Sequence, residues 1–107
     1  MALEVHYLEW HVTPGRRDRF LEIWRPALDR ALAYGARSAF VTRNEDDPLH
    51  LRQVTSWESR ADHEQWWFSD EISALRQDAL AYFHKPIEQH WHAQVADAAV
   101  QASNGQP

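Results

Sequence analysis

Residues 54–72 constrain the fold of this chain most, because they pass from a strand pattern to a helix pattern within a few residues. The apolar and β-branched run ends at Trp57. Ser59, with Asp62 three residues later, forms a capping box that starts a helix. Ser69 is followed by two acidic residues and gives a second helix start, since acids in a first turn complement the helix dipole. The stretch therefore predicts a strand followed at once by a helix that breaks near Ser69.

The other elements follow from hydrophobic periodicity and from turn residues. The order strand–helix–strand occurs twice, which is the order of a ferredoxin-like βαββαβ domain of the α+β class. It gives a four-stranded antiparallel sheet with the helices on one face. The predicted strands are 3–12, 37–43, 49–57 and 87–95, and the predicted helices run from Thr13 or Pro14 to Tyr34 and, in two pieces, from Ser59 to about His84.

The first and last predicted strands carry large apolar side chains on both faces. The helices cover one face of the sheet, and a bare apolar face of this size makes a monomer prone to association. Pairing of the bare faces of two copies removes the problem. The sequence therefore predicts a homodimer.

Length and composition limit the class of protein. A chain of 107 residues is one domain, which we place at residues 1–96, and the small, polar residues 97–107 are expected to form a flexible tail. The absence of cysteine excludes disulfides and thiolate chemistry and agrees with a cytoplasmic location. A net charge of −5 argues against nucleic acid as a partner. No signal peptide and no apolar run of membrane-spanning length is present.

Two segments resemble the dimeric α+β barrel superfamily. One is Val-Thr-Pro-Gly-Arg-Arg-Asp-Arg-Phe at residues 12–20, and the other is Val-Thr-Ser-Trp-Glu-Ser at residues 54–59, followed by His63, Trp66 and Ser69. Within the superfamily, the chain is most similar to the antibiotic-biosynthesis monooxygenase branch. The resemblance covers residues 3–95 as a pattern of elements and a few matched positions.

The resemblance implies a ligand pocket between the sheet and the helices of each subunit, and a dimer formed by the opposite sheet faces. Some relatives oxidise aromatic polyketides with oxygen and use neither metal nor flavin. We therefore expect a cofactor-independent monooxygenase-like enzyme acting on an aromatic or polyketide-like small molecule. Two alternatives remain open: a proton-transfer enzyme similar to polyketide cyclases, and a non-catalytic dimer that binds a small apolar molecule.

Two histidines are the candidate catalytic bases. His6 lies near the start of the first strand, where the cyclising relatives place a pocket histidine, and His63 lies on the helix that follows Ser59. An imidazole with a pKa near neutrality can both accept and release a proton. Proton removal next to a carbonyl is the first step of both ring closure and cofactor-free oxidation.

The candidate ligand-binding residues are mostly aromatic. Six tryptophans in a small domain can wall a pocket for a flat apolar ligand, or can fill the core and the dimer interface. The resemblance favours Trp66, which matches a pocket tryptophan of haem-degrading relatives, and adds His50, although its distance from Trp57 turns it to the other sheet face unless a bulge intervenes. The predicted ligand-binding residues are Trp10, Trp24, His50, Trp57, Trp66 and Phe83.

Haem and metal ions are not expected as cofactors. In the haem-degrading relatives, a histidine seven residues after the serine of the motif binds the iron, and here that position is Arg76. Glu88, His90 and His92 alternate on one face of the last predicted strand and form a possible metal-ligand set. The same alternation is typical of a polar strand face, so we predict no metal site.

Overall fold

A computed structural model describes residues 2–98 of the chain. It contains a four-stranded antiparallel sheet, three α-helices and one short 3-10 helix, so the predicted ferredoxin-like α+β fold is confirmed. The strands are β1 (Glu4–His11), β2 (Ser38–Arg43), β3 (His50–Trp57) and β4 (Glu88–Ala93), and the helices are α1 (Arg17–Ala33), α2 (Arg60–Trp67), α3 (Asp70–Ala79) and the 3-10 helix Leu80–Tyr82. Most of the predicted C-terminal tail lies outside the described residues.

The strands are ordered β2-β3-β1-β4, so β1 and β3 are central and β2 and β4 are edge strands. The register of β1 with β3 runs without a bulge from Glu4 opposite Trp57 to His11 opposite His50. Because side chains alternate along a strand, the even-numbered residues from His6 onward in β1 face the helices. The sheet thus presents a mostly apolar face to the helices, with His6, Gln53 and Thr55 as its fully buried polar residues.

The core lies between this face and the three helices. Its large members are completely or almost completely buried, and they include three aromatic side chains of the helices and two of the central strands. Aromatic side chains contribute the most apolar area per residue, which suits a domain with few residues to bury. The largest fully buried apolar residues are Leu8, Trp10, Phe20, Trp24, Leu51, Trp57, Trp66 and Ile72.

The start of α1 differs from the prediction. The helix begins at Arg17 rather than at Thr13 or Pro14, because a turn precedes it. In that turn the Arg16 amide donates to the Thr13 carbonyl at 3.0 Å. Gly15 has φ +81°, which a right-handed helix does not permit.

The end of α3 also differs from the prediction. A helix to about His84 was expected, but α3 ends at Ala79 and Phe83 is extended. Phe83 forms a β-bridge with Val12, and the His84 amide donates to the His11 carbonyl at 3.0 Å. Pairing with the end of β1 therefore overrides the local helical pattern, and it brings Phe83 against the sheet.

The opposite face of the sheet carries no helix. Tyr7 and Val54 are half-buried at its centre, and Phe40 on the edge strand is 46% exposed. Glu9 is buried on this face and accepts hydrogen bonds from His50 and Arg52. The dimer predicted from this face stays a prediction. Within residues 2–98, no helix has the length and hydropathy needed to cross a membrane.

Candidate functional site

The helix-facing side of the sheet brings the two candidate catalytic histidines into contact. His6 on β1 is fully buried, His63 on α2 is 4% exposed, and their ring centroids lie 4.3 Å apart. The local sequence explains the position of His63. The Ser59 hydroxyl accepts a hydrogen bond from the Asp62 amide and so sets the start of α2. His63 then falls on the buried side of α2, three residues before Trp66.

Tryptophan rings surround this histidine pair. The His63 ring stacks on Trp67 at a centroid distance of 6.0 Å and an angle of 14°, and it meets the edge of Trp91 at 4.9 Å. Trp57 and Trp66 lie at 5.5 and 5.7 Å. Such an enclosure excludes water and leaves the imidazoles in a medium of low polarity.

Only one of the four ring nitrogens has a hydrogen-bond partner in the described part of the chain. His6 Nε2 lies 2.9 Å from Oε1 of Gln89 on β4. His6 Nδ1 and both ring nitrogens of His63 are buried without a partner. Buried polar atoms without a partner cost free energy and are uncommon in native proteins, so these three nitrogens are the polar atoms of the pair that the described fold does not satisfy.

Burial keeps both imidazoles neutral at physiological pH. Desolvation, with a smaller repulsion from His6, lowers the pKa of His63 to about 3. Desolvation also lowers the pKa of His6, and the hydrogen bond to Gln89 opposes this shift. A neutral imidazole presents a free lone pair, which is the form that can accept a proton.

An apolar cavity of about 290 Å³ opens beside the histidine pair. It lies between β1, the end of α2, the C-terminal part of α3 and the segment that leads into β4, at the small end of the volumes of small-molecule sites. Trp67 both stacks on His63 and forms part of the cavity wall, so the cavity and the pair share one indole. The cavity is lined by Trp10, Trp67, Arg76, Leu80, Phe83, Pro86 and Ile87.

Two polar groups interrupt the apolar wall. Trp10 is 1% exposed, and its Nε1 has no partner among residues 2–98. The Arg76 guanidinium lies 4.8 Å above the Trp67 ring and donates to Ser73, while its Nε is buried and unpaired within the same range. Burial lowers the pKa of Arg76. Arg76 is therefore the charged residue among those that line the cavity.

The predicted pocket tryptophans divide into two groups. Trp10 and, with it, Phe83 line the cavity. Trp24, Trp57 and Trp66 are fully buried, and each donates its indole hydrogen within the domain: Trp24 to Gln53, Trp57 to Thr55 and Trp66 to the Ala27 carbonyl. These three tryptophans pack behind the histidine pair and the cavity and form no part of the cavity wall.

His50 lies on the sheet face opposite the helices. It stacks on His11 at 4.7 Å, and its Nε2 lies 2.6 Å from the Glu9 carboxylate. No bulge turns it back, because the register of β1 and β3 is continuous. The sheet therefore separates His50 from the cavity and from the histidine pair.

The alternating Glu88, His90 and His92 also lie on this opposite face, at the edge strand. Glu88 is 3.8 Å from His11. Among the residues that the structure describes, no group of three His, Asp or Glu side chains is arranged to hold a metal ion.

Several residues of the site were not singled out in the sequence. The sequence analysis considered Arg76 only because it occupies the position of a haem-binding histidine in relatives. It did not predict that Trp67, Trp91 and Gln89 contact the histidine pair. Alternation along β4 places Gln89 and Trp91 on one face, and the register then sets Trp91 opposite His6. The alternation was visible in the sequence, but the register was not.

Comparisons with known proteins agree with this architecture. The sequence profile of the family described as "Antibiotic biosynthesis monooxygenase" matches residues 5–78. A comparison with curated proteins found no match.

Solved structures with the same fold cover nearly the whole chain. A protein named "Putative antibiotic biosynthesis monooxygenase from Nitrosomonas europaea" superimposes with a TM-score of 0.83 at 13% identity, over 91% of this chain and 94% of that one. A conserved protein from Methanosarcina mazei gives 0.80 at 16% identity, over 86% and 92% of the two chains. A structure named antibiotic biosynthesis monooxygenase gives 0.78 at 16% identity, over 88% and 99%.

At these identities the structural likeness establishes the fold alone. The family profile is the stronger finding, because it spans β1 to α3 and includes both His6 and His63. The chain therefore belongs to the antibiotic biosynthesis monooxygenase family.

Proposed function

We propose that this protein is a cofactor-independent monooxygenase that acts on an aromatic or polyketide-like small molecule bound between the sheet and the helices. The observation that carries the proposal is the buried pair of neutral imidazoles beside an apolar cavity. His6 and His63 are the two candidates for the general base, and the cavity wall binds the flat body of the substrate. Family membership supports the reaction class, and the identity of the substrate is our inference.

The reaction begins with removal of a proton from a carbon atom of the substrate. A CH₂ group between two aromatic rings or next to a carbonyl is acidic, because its carbanion is delocalised. The lone pair of a neutral imidazole accepts one proton from this carbon, and the Arg76 guanidinium in the cavity wall donates hydrogen bonds to the oxygen on which the negative charge collects. A water-excluding site strengthens these hydrogen bonds.

Molecular oxygen is the second reactant and the oxidant. The carbanion adds to O₂ and forms a peroxide, which takes the proton back from the imidazolium. Loss of the second carbon-bound proton then breaks the O–O bond, so that CH₂ and O₂ become C=O and H₂O. The electrons come from the two C–H bonds, and the balance needs no further reductant.

The substrate reaches the imidazoles past Trp67. In the described structure this indole separates the cavity from His63, since it stacks on His63 and lines the cavity. Rotation of the indole lets a flat ligand take its place against the imidazole. A flat aromatic ligand would then stack on the His63 ring as Trp67 does now. Because one aromatic contact replaces another, the change in interaction energy is small.

The test is turnover of anthrone to anthraquinone under air and under nitrogen, followed by liquid chromatography and mass spectrometry. We expect oxygen-dependent product, and a fall of about 10²-fold or more in kcat for His6→Ala or His63→Ala. His84→Ala is the matched control, because His84 is exposed and lies outside the cavity. Full activity of both histidine variants would exclude the imidazoles as bases. Equal conversion of a cyclisable substrate under nitrogen, with the same histidine dependence, would favour the cyclase alternative.

One observation favours the non-catalytic alternative. A pKa of about 3 makes His63 a weak base, and neither histidine reaches solvent. A protein that only binds an apolar ligand would show quenching of tryptophan fluorescence by 2-acetonaphthone that is lost in Trp67→Ala and unchanged in both histidine variants. Absence of turnover together with this binding pattern would replace the enzyme proposal.

We propose that the protein works as a homodimer in which the bare sheet faces of two copies meet. The exposed Phe40 and the half-buried Tyr7 and Val54 supply apolar area on a face that no element of the described chain covers. Family membership supports this assembly.

Two further expectations stay proposals. The domain spans residues 1–96, with residues 97–107 as a tail, and the protein acts in the cytoplasm. The family match at residues 5–78 lies inside the proposed domain. A chain that ends at residue 96 and keeps the melting temperature of the full chain would support the boundary.

A further inference from the structure

Gln89 is the one hydrogen-bonding partner of the histidine pair in the described chain. It lies on β4 opposite Leu8 of β1, and its Oε1 is 2.9 Å from His6 Nε2. His6 is fully buried, whereas Gln89 is exposed at the edge of the sheet. The amide therefore reaches inward from the edge strand to a histidine that has no contact with water.

We propose that Gln89 is a positioning residue that holds His6 with its hydrogen on Nε2 and its free lone pair on Nδ1. This assignment is independent of catalysis. Its consequence for turnover rests on the function proposed above.

The orientation of the Gln89 amide, with its oxygen toward the ring, decides the tautomer. An amide oxygen only accepts hydrogen bonds, so the ring nitrogen that faces it carries the hydrogen. The other nitrogen, Nδ1, then keeps its lone pair, and it is buried without a partner in residues 2–98. His6 is also packed between the rings of His63 at 4.3 Å and Trp91 at 4.7 Å, which leaves the imidazole little freedom to turn.

The same contact separates the roles of the two histidines. When Nδ1 of His6 accepts a proton, Nε2 keeps its hydrogen and its bond to Gln89, and a hydrogen bond from a charged donor is stronger than one from a neutral donor. His63 has no such partner for its charged form among the described residues. His6 is therefore the stronger base of the pair, and His63 acts as its neutral neighbour.

The other charged and titratable groups around His6 oppose its protonation. Arg60 lies 4.7 Å above the Trp91 ring that packs on His6, and it lowers the pKa of His6, as His90 does to a smaller degree. His63 is neutral and adds no charge. Gln89 is thus the group that opposes the effects of burial, Arg60 and His90 on the pKa of His6.

Nuclear magnetic resonance of the ¹⁵N-labelled imidazoles tests the assignment without a substrate. We expect wild-type His6 to be neutral at pH 7.5 with Nε2 protonated. Gln89→Leu removes the acceptor and should lower the pKa of His6, whereas Gln89→Glu supplies a carboxylate and should raise it. Gln65→Leu makes the same change on the exposed side of α2, two residues from His63, and should leave the pKa of His6 unchanged.

Kinetics on anthrone then test the consequence. Gln89→Leu should lower kcat about tenfold with little change in KM, and Gln89→Glu should shift the acid limb of the pH–rate profile to higher pH. A wild-type His6 protonated on Nδ1, or a pKa of His6 that is the same in both Gln89 variants, would overturn the proposal. If the protein shows no turnover but the resonance results hold, the tautomer assignment stands and the proposed function fails.

Discussion

At the scale of single residues, His63 departs furthest from what folding alone favours. Its two ring nitrogens are buried without partners in the described chain, between tryptophan rings. An apolar side chain of similar size would fill the same space without the desolvation cost. Retention of a polar ring at such a position is typical of functional sites, where stability is lost for chemistry.

The depressed pKa of His63 predicts a pH dependence of stability. The group titrates near 6.5 when unfolded and at about 3 when folded. Between these values the unfolded state binds more protons, so the free energy of unfolding rises as pH increases from about 3 to 6.5 and this contribution is constant above. His6 acts in the same direction, since its pKa is also lowered.

Urea unfolding between pH 4 and 8 measures this effect. His63→Leu should be more stable than the wild type at every pH in the range, by about 1–3 kcal/mol at pH 7, because no polar atom is left unpaired. Its stability should also depend less on pH between 4 and 6.5. A variant with the same pH slope as the wild type would show that His63 does not carry the linkage.

At the scale of elements, the junction of α2 and α3 determines where Trp66 and Trp67 lie. Ser69 joins the two helices: its hydroxyl donates to the Trp66 carbonyl at 2.8 Å and accepts from the Ile72 amide at 3.4 Å. Because Trp66 and Trp67 occupy the last turn of α2, the direction of the chain at Ser69 sets the positions of both indoles.

Ser69→Ala should therefore cost more than the loss of an ordinary cap. A cap deletion costs about 1 kcal/mol, and Ser69 loses a second hydrogen bond, so we expect about 1–2 kcal/mol in the free energy of unfolding. Ser59→Ala is the matched comparison, since Ser59 accepts one bond, from the Asp62 amide, and donates none among the side-chain bonds of the described chain. Denaturant midpoints at constant m value measure both. An equal or larger loss in Ser59→Ala would refute the role of the donated bond.

The same elements show what the sequence could predict. Ser59 and Ser69 were predicted as helix starts, and both act as caps, because a cap depends on residues three apart. The predicted end of α3 was wrong, because Phe83 pairs with Val12, far away in the sequence. The serine caps define where α2 and α3 begin, and long-range pairing decides where α3 ends.

The candidate site was less predictable than the elements. The sequence named His6 and His63 separately, but their contact depends on how α2 packs on β1, which no local pattern encodes. The cavity wall includes Arg76 and Trp67, which lie on the two helices that meet at Ser69. His50 was predicted as a ligand-binding residue, but the structure places it on the sheet face opposite the cavity. The spacing from Trp57 indicated this face in the absence of a bulge, and the register of β1 and β3 contains none.

At the scale of the whole molecule, the two faces of the sheet have different environments. One face is covered by the helices and carries the histidine pair and the cavity. The other bears apolar side chains at its centre and a buried Glu9 that pairs with His50 and Arg52. A face with a half-covered apolar centre and satisfied charges is suited to a second copy of itself, because a two-fold axis makes each patch its own partner.

Val54→Glu tests this assembly. Val54 is half-buried on the bare face, between Tyr7 of β1 and Phe40 of β2 in the register. In a dimer, two introduced carboxylates would be desolvated near each other, so we expect a shift to monomer of at least tenfold in the dissociation constant. Size-exclusion chromatography with light scattering measures the mass of wild type and variant at several concentrations.

Leu32→Glu is the matched control, because Leu32 is 53% exposed on α1, on the helix side of the sheet. It adds the same charge to the chain and should leave the dimer intact. Circular dichroism confirms that both variants are folded. A wild type that is monomeric at high concentration would contradict the dimer itself. Dissociation by Leu32→Glu with no effect of Val54→Glu would move the interface from the bare sheet face to the helix side.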